Sequence, residues 1–307
     1  MKVLLHLCLA AGDLILYTGV LRHLKVEYPD VEFDFLCRRI HASILENNPN
    51  LKNLLILEDY DSPWNGTESI PSQDAYYNEW IEKTFKGKYD KLIHCLFSFP
   101  LISIPDLSPS KNIIRLVGNH GFPIKASEEE MNPIFYYDRE DYVKADELYK
   151  KIKNSVAGDF SICLFEDRAH TLFNPYQEAT NGILKTWMRK GRVNKELKNK
   201  RKYVSVGNNL NNDFLLKDLE IKQIKLFFEK YCDYFFGMTS GISCALTAFP
   251  SELINKKAIV CFPKISWITS SRMSIDLSGY YPYQSSSFTT KWDHYSLKDC
   301  FELLCDP

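Results

Sequence analysis

Residues 2–20 read KVLLHLCLAAGDLILYTGV, and this stretch decides the fold of the first part of the chain. Its first eight residues, KVLLHLCL, are almost continuously apolar, which is typical of a parallel strand that is buried on both faces. From Leu14 onward the apolar residues follow a helical spacing, so a turn of small residues joins a strand to a helix. Asp13 ends that turn, where an acid either caps the helix or serves as a catalytic base. Its position alone favours neither role.

Strand and helix patterns alternate along the whole chain, which predicts α/β units with doubly wound parallel sheets. The predicted strands cover residues 2–9, 31–37, 51–58, 89–97, 112–118, 161–166, 202–209, 234–241 and 258–263. The helical patterns after the first one cover residues 41–49, 138–159, 181–188, 219–231 and 242–249.

The chain has 307 residues, enough for two domains. A charged helix over residues 138–159, closed by Gly158, marks the boundary between them. We therefore expect Rossmann-like domains over residues 1–155 and 156–307. Open α/β sheets bind ligands at their carboxyl edges, so the two sheets are expected to face a central cleft.

Composition excludes several classes of protein. The formal net charge is −1, so no global field attracts nucleic acid, and the 45% hydrophobic content is that of a globular protein. The nine cysteines include no C-x-x-C pair, which argues against a disulfide framework or a zinc site and favours a reducing cytoplasm. Asp13 interrupts the N-terminal apolar stretch, unlike a signal peptide, and no run of about 18 apolar residues predicts a transmembrane helix.

Residues 237–243, GMTSGIS, form the second informative turn. Here a strand ends, glycines turn the chain and a helix pattern begins. Exposed N–H groups and the helix dipole favour an anion such as a diphosphate, although a capped helix start explains the same residues. The first strand lacks G-x-G-x-x-G, and no G-x-x-x-x-G-K-[ST] or G-x-S-x-G sequence occurs, which disfavours a dinucleotide oxidoreductase, a P-loop protein and an α/β-hydrolase.

Two polar segments have two interpretations each. Residues 59–75 form a polar loop in which Asp59-Tyr60-Asp61 matches the D-x-D pattern of metal-dependent glycosyltransferases, but solvated acids in a turn fit equally. Residues 189–202 hold eight Lys/Arg against one Glu. Such a run is typical of a solvated loop; the alternative is contact with an anionic acceptor or a membrane surface.

Three segments resemble glycosyltransferase family 9, the GT-B heptosyltransferases of bacterial lipopolysaccharide assembly. Residues 2–36 resemble the family's opening strand, G-D turn and first helix, followed by its YPD-x-E-x-D-x-L element. YDKLIHCLF (89–97) is similar to its fourth strand, and CDYFFGMTSGISCAL (232–246) to its D-x-x-x-G-x-D-[ST]-G-x-x-H segment.

The resemblance implies an inverting, metal-independent transfer of a heptose-like sugar from a nucleotide diphosphate donor to a bacterial surface glycan or lipid-linked glycan. No further cofactor is implied. Asp13 would be the general base of this reaction. The remaining expected site residues bind the donor: Gly12, Arg168, His170, Thr171, Gly207, Asn208, Thr239, Ser240, Gly241, Ile242 and Ser243. The implied location is the cytoplasm, with peripheral contact to the inner membrane through residues 189–202.

Two positions depart from the family pattern. Thr239 replaces the acid before [ST]-G, and Cys244 replaces the later His. In the family these positions help to recognise the donor, so a different donor or weaker donor binding is expected. A GT-B protein that binds a nucleotide or glycan without transferring sugar is the alternative function. Arg272 is a further candidate for contact with a diphosphate.

Overall fold

The computed structural model describes residues 1–7, 11–62, 75–95, 114–115, 117–125, 133–166, 190–200, 202–238, 246, 257–261 and 288–291. The chain divides into two units, and among the described residues the boundary between them lies between Tyr136 and Tyr137. Both units are α/β with parallel sheets, as predicted.

The first unit is built on a four-stranded parallel sheet with the order β3-β2-β1-β4. Its strands are β1 (Lys2–Leu7), β2 (Glu32–Cys37), β3 (Asn53–Ile56) and β4 (Lys91–Cys95). Its helices are α1 (Ala11–Glu27), α2 (Ala42–Leu45) and α3 (Ala75–Phe85), with 3-10 turns at Arg39–His41 and Leu57–Asp59.

Helix α1 is buried on more than one face, which explains the near-absence of polar residues in its first half. The buried side chains include Leu14, Ile15, Tyr17 and Leu21, each at most 1% exposed. The buried hydroxyl of Thr18 donates to the Ile15 carbonyl at 2.7 Å and accepts from the Ile134 N–H at 2.9 Å. Both of its polar contacts are therefore internal, and the apolar run found in the sequence packs on the sheet.

The second unit contains a six-stranded parallel sheet with the order β10-β9-β8-β5-β6-β7. Its strands are β5 (Ser161–Glu166), β6 (Tyr203–Gly207), β7 (Phe214–Leu215), β8 (Tyr234–Met238), β9 (Lys257–Cys261) and β10 (Phe288–Lys291). Its helices are α4 (Arg139–Ser155), α5 (Arg192–Lys200) and α6 (Ile221–Tyr231).

Helix α4 begins at a capping box. The Asp138 carboxylate accepts from the N–H groups of Glu140 and Asp141, and the Asp141 carboxylate accepts from the Asp138 N–H in return. The helix packs against α6. For this reason α4 belongs to the second unit, whereas the sequence-based boundary placed all of it in the first domain.

Two sequence predictions are wrong. Residues 114–115 and 117–119 are helical and not part of a fifth strand, because the apolar residues 113, 114, 116 and 117 also fit a helical period. The basic stretch 189–202 is not a loop, since most of it forms α5. Asn194 and Leu197, three residues apart, are buried and give this charged segment one inward face.

Within the described residues, no helix combines the length and the apolar character needed to cross a membrane.

Candidate functional site

The carboxyl edge of the first sheet brings together the segments that follow β1, β2 and β3, because parallel strands end at the same edge. Gly12 and Asp13 occupy the second and third positions of α1. Asp13 therefore lies inside the first turn of the helix, where the dipole stabilises a carboxylate, and not at the N-cap before it. This is the part of the open-sheet fold in which ligands bind.

A cluster of charged residues follows β2 and β3 at this edge. The guanidinium of Arg39 donates to the carboxylate of Asp59, and the Arg39 N–H donates to Glu58 Oε2 at 2.8 Å. Arg38 Nε lies 3.8 Å from Glu58 Oε1. We call these four residues, Arg38, Arg39, Glu58 and Asp59, the edge cluster. It joins the ends of two neighbouring strands through ion pairs.

Two further residues at this edge are held in their neutral forms. Burial, followed by the positive charge of Arg38, lowers the pKa of His41 to about 4, against a smaller opposing effect of Glu58. Burial, followed by the charges of Glu58 and Glu46, raises the pKa of Cys37 to about 12. At neutral pH the imidazole is therefore uncharged, and Cys37 is a thiol rather than a nucleophilic thiolate.

The D-x-D interpretation gains no support from the geometry of Asp59, whose carboxylate pairs with Arg39. In the described parts of the chain no group of three or more His, Cys, Asp or Glu side chains is placed to hold a metal ion. The observed role of Asp59 is to tie the end of β3 to the end of β2.

At the carboxyl edge of the second sheet, a buried acid lies at the end of a central strand. Glu166, the last residue of β5, is 0% exposed, and Asn208 Nδ2 donates to its Oε2 at 3.1 Å. The amide of Asn208 therefore orients the Glu166 carboxylate. Asn208 was predicted to contact a nucleoside, and the structure shows its amide donating to this acid.

Gly207 has a steric reason to lack a side chain. A Cβ at this position would lie 2.5 Å from Asn212 Nδ2 and 2.8 Å from the Phe165 carbonyl oxygen. Such distances are far inside van der Waals contact, so the loop after β6 closes tightly over the end of the strand. This packing explains the glycine without invoking a ligand, although Gly207 was predicted as a donor-binding residue.

Most of the predicted donor site lies outside the described residues, namely Arg168, His170, Thr171, Thr239, Ser240, Gly241, Ile242 and Ser243, together with Arg272. The structure therefore places Gly12 and Asp13 at one sheet edge, and Gly207 and Asn208 at the other. The sequence analysis missed the edge cluster and Glu166. The available signal was the presence of charged residues directly after apolar strands, as in LCRR (36–39) and ILED (56–59).

No family model matches the chain, and no curated protein gives a significant match. Comparison with solved structures nevertheless defines the fold class: it is the α/β fold of the GT-B heptosyltransferases, in agreement with the resemblance found in the sequence.

Two solved structures carry this comparison. Escherichia coli ADP-heptose lipopolysaccharide heptosyltransferase II matches with a TM-score of 0.57 and 12% identity, over 99% of this chain and 97% of that one. A glycosyltransferase family 9 protein from Veillonella parvula matches with a TM-score of 0.56 and 14% identity, over 94% and 85% of the two chains. At these identities the likeness concerns the fold.

Proposed function

We propose that this protein is a glycosyltransferase that moves a heptose-like sugar from a nucleotide diphosphate donor to a bacterial surface glycan. The fold supports this proposal, because it matches a heptosyltransferase over almost the full length of both chains. The observation that connects this proposal with a site is the position of Asp13 in the first turn of α1, at the carboxyl edge of the first sheet.

In the proposed reaction Asp13 is the general base. Its carboxylate takes the proton of an acceptor hydroxyl, and the resulting oxygen forms a bond to the anomeric carbon of the donor sugar. The bond between that carbon and the diphosphate oxygen breaks on the opposite face, so the configuration inverts. The nucleotide diphosphate leaves with the electron pair of the broken bond, and no metal takes part.

The sequence supports a place for the leaving group in the turn of residues 239–243. Backbone N–H groups and the hydroxyls of Ser240 and Ser243 are suited to a diphosphate, since the charge develops on its oxygens during transfer. Thr239 stands where glycosyltransferase family 9, which the sequence resembles, has an acid. For this reason the donors to be tested include sugars other than heptose. The acceptor is a glycan or a lipid-linked glycan.

The test measures transfer and nucleotide diphosphate release with ADP-heptose and with ADP-, GDP- and UDP-linked hexoses. Asp13→Asn keeps the size of the side chain and removes its basicity. We expect this variant to lose roughly a hundredfold to ten-thousandfold in turnover. The matched control is Asp30→Asn, which makes the same change at an exposed residue just beyond α1. Equal turnover by Asp13→Asn and the wild type would remove Asp13 as the base.

The substitution at Thr239 favours one second function, a GT-B protein that binds without transferring. Thermal stabilisation by a nucleotide diphosphate, with neither transfer nor donor hydrolysis for any sugar in the panel, would identify that function. Thr239→Asp then tests whether the missing acid is the cause, because restored turnover would show that the catalytic machinery is otherwise complete.

A further inference from the structure

The edge cluster lies at the same sheet edge as Asp13, after the two strands next to the one that leads to Asp13. In the order β3-β2-β1-β4, β2 pairs with β1 and β3 pairs with β2. Neighbouring strands are about 5 Å apart, so the ends of β1 and β3 are separated by roughly 10 Å across the sheet. A saccharide bound at this edge can therefore reach both the position of Asp13 and the edge cluster.

Arg39 and Asp59 are open to a ligand although they are paired with each other. Their side chains are 61% and 58% exposed. The printed contact between them joins one guanidinium nitrogen, Nη2, to one carboxylate oxygen, Oδ1. A guanidinium has more N–H donors, and a carboxylate more lone pairs, than one such bond uses. Both groups therefore keep hydrogen-bonding capacity on the side that faces water.

The charges at this edge do not favour an anionic ligand. Residues 38–41 and 57–61, which follow β2 and β3, contain two arginines and three acids. Burial and the charge of Arg38 lower the pKa of His41 to about 4, so the imidazole adds no positive charge at neutral pH. Phosphate and carboxylate groups are bound most strongly by cations that no other anion neutralises. A sugar that carries either group is therefore disfavoured at the edge cluster.

A pair of neighbouring sugar hydroxyls has the opposite requirement. Each hydroxyl both donates and accepts, so it is matched by a donor and an acceptor that lie side by side. The guanidinium of Arg39 and the carboxylate of Asp59 supply these two groups in direct contact. The Arg39 N–H also donates to Glu58 Oε2 at 2.8 Å, which fixes the backbone from which the guanidinium extends. A donor and an acceptor that are held in place lose little entropy when a ligand binds.

An exposed aliphatic side chain lies in the same 3-10 turn as Arg39. Ile40 is the middle residue of the turn Arg39–His41, and it is 62% exposed. A single exposed isoleucine is ordinary on a protein surface. Ligand sites, however, combine apolar side chains with a few polar groups, and a sugar ring has faces of C–H groups as well as hydroxyls. Ile40 therefore gives the polar pair an apolar neighbour suited to such a face.

We propose that Arg39 and Asp59 bind the acceptor through two adjacent hydroxyls of an uncharged sugar unit. The Asp59 carboxylate accepts from one hydroxyl, the Arg39 guanidinium donates to the other, and Ile40 covers C–H groups of the ring. The inference rests on the proposed function, because it concerns the acceptor on which Asp13 would act. It deepens that function by naming the substrate class: a sugar with vicinal hydroxyls and with neither phosphate nor carboxylate.

The test measures binding by ligand-observed NMR, with the full chain and without a nucleotide sugar. The probes are the methyl glycosides of glucose, galactose, mannose and N-acetylglucosamine, each beside its phosphate ester on the primary hydroxyl. We expect at least one neutral glycoside to bind, and to bind about tenfold more tightly than its phosphate ester. Tighter binding of the phosphate esters, or no binding of any neutral glycoside, would overturn the proposal.

Asp59→Asn separates recognition from a structural role. The variant keeps the size of the side chain, but it leaves the Arg39 guanidinium without its carboxylate and so available to an anion. It should weaken the neutral glycoside by about tenfold and strengthen its phosphate ester by a similar factor. Arg39→Ala should weaken the neutral glycoside by about tenfold without strengthening the ester. Equal weakening of both ligands by Asp59→Asn would mean that the pair only supports the loop, and would overturn the proposal.

Ile40→Ser tests the apolar part of the surface and should weaken the neutral glycoside by about threefold. Matched controls remove similar groups elsewhere. Glu140→Gln/Lys144→Gln removes an exposed ion pair from α4, and Val26→Ser removes an exposed apolar side chain from α1. Both controls should bind like the wild type, and circular dichroism shows whether each variant is folded. Controls that lose as much binding as the test variants would overturn the proposal.

Transfer assays distinguish a failure of this inference from a failure of the proposed function. The neutral glycoside that binds is offered as acceptor, and Arg39→Ala and Asp59→Asn should raise its KM about tenfold with little change in kcat. If transfer occurs and both variants leave this KM unchanged, the proposed function stands and the inference is wrong. If the glycoside binds at Arg39 and Asp59 but no donor is used, the saccharide site stands and the transfer reaction is wrong.

Discussion

Two ion pairs, one from each unit, differ strongly in how far they are buried. In the first unit Arg39 and Asp59 form an ion pair whose side chains are 61% and 58% exposed. In the second unit Lys222 Nζ and Asp141 Oδ2 meet at 2.9 Å with side chains that are 1% and 3% exposed. One pair lies in water at a sheet edge, and the other is enclosed where α6 begins.

The difference separates charge that holds the fold from charge that is available to a ligand. An exposed pair adds little to stability, because water screens it and the side chains lose entropy. A buried pair cannot lose one partner without leaving a desolvated charge. Asp141 also accepts from Gln223 Nε2 at 3.1 Å and belongs to the capping box of α4. We infer that the edge cluster is kept for a reason other than stability.

Asp141→Asn should have the largest effect on the free energy of unfolding. The variant keeps the shape of the side chain but leaves the buried ammonium of Lys222 without its carboxylate, which should cost about 3–5 kcal/mol. Urea denaturation followed by circular dichroism measures the loss.

The control for this variant lies on the same helix. Asp146→Asn makes the same change in the pair with Lys230, which is about one-third exposed, and should change stability little. Asp141→Asn/Lys222→Met removes both buried charges and should regain most of the loss. If the two single variants unfold at the same urea concentration, the contrast between buried and exposed pairs is wrong.

Gly207→Ala tests whether packing, rather than charge, fixes the second sheet edge. The added methyl group would meet Asn212 Nδ2 and the Phe165 carbonyl, so the loop after β6 must move. We expect a loss of about 2–3 kcal/mol in the free energy of unfolding. Gly118→Ala is the control, because its Cβ would make an ordinary contact of 3.7 Å with Pro123 Cα. Wild-type stability of Gly207→Ala would mean that the loop has room to adapt.

Local pattern was sufficient to predict the central strands and the first helix. The strand at residues 161–166 was predicted with the bounds that β5 has, and the first helix was predicted as well, although α1 begins earlier, at Ala11, and includes Gly12 and Asp13. These elements are continuous apolar runs or helical patterns, so neighbouring residues alone specify them. The basic segment that forms α5 was wrongly predicted as a loop. Its buried residues Asn194 and Leu197 can be recognised as an inward face only when the position of the neighbouring sheet is known.

Contacts across strands could not be predicted in this way. The pairing of Arg39 with Asp59 depends on β2 and β3 being neighbours, and the need for a glycine at Gly207 depends on where Asn212 lies. The charges of Arg38-Arg39 and Glu58-Asp59 are visible in the sequence, but their partners are set by the strand order. Two charged residues directly after a strand therefore predict where a sheet edge lies better than they predict what each residue does there.

Asp213 is intermediate between the two pairs, and its effect should depend on pH. Burial raises the pKa of its carboxyl, but hydrogen bonds from Lys198 and Ser205 outweigh that and lower the pKa below 3.8. The stabilisation is therefore fully present above the ordinary pKa and is lost as the pH falls through the lower value of the folded state.

We expect Asp213→Asn to lose at most about 1 kcal/mol at neutral pH, since water screens part of the interaction. Its difference from the wild type should shrink once the pH falls below the ordinary value for Asp. The urea midpoints of both proteins, at neutral pH and at a pH below the ordinary pKa of Asp, measure both effects. Asp218→Asn, at an exposed residue of the next turn, should show neither. A difference that grows on acidification would reverse the assigned direction of the pKa shift.

The smallest expected effect belongs to the exposed pair, and it decides the interpretation of the edge cluster. A double-mutant cycle of Arg39→Ala and Asp59→Ala should give a coupling free energy of at most about 0.5 kcal/mol, and added salt should lower it further. The Arg39 N–H keeps its bond to Glu58 in every variant, so the cycle isolates the side chains. A coupling free energy as large as the loss expected for Asp141→Asn would mean that the edge cluster stabilises the fold. A small coupling leaves its charges available to a polar ligand at this sheet edge without loss of fold.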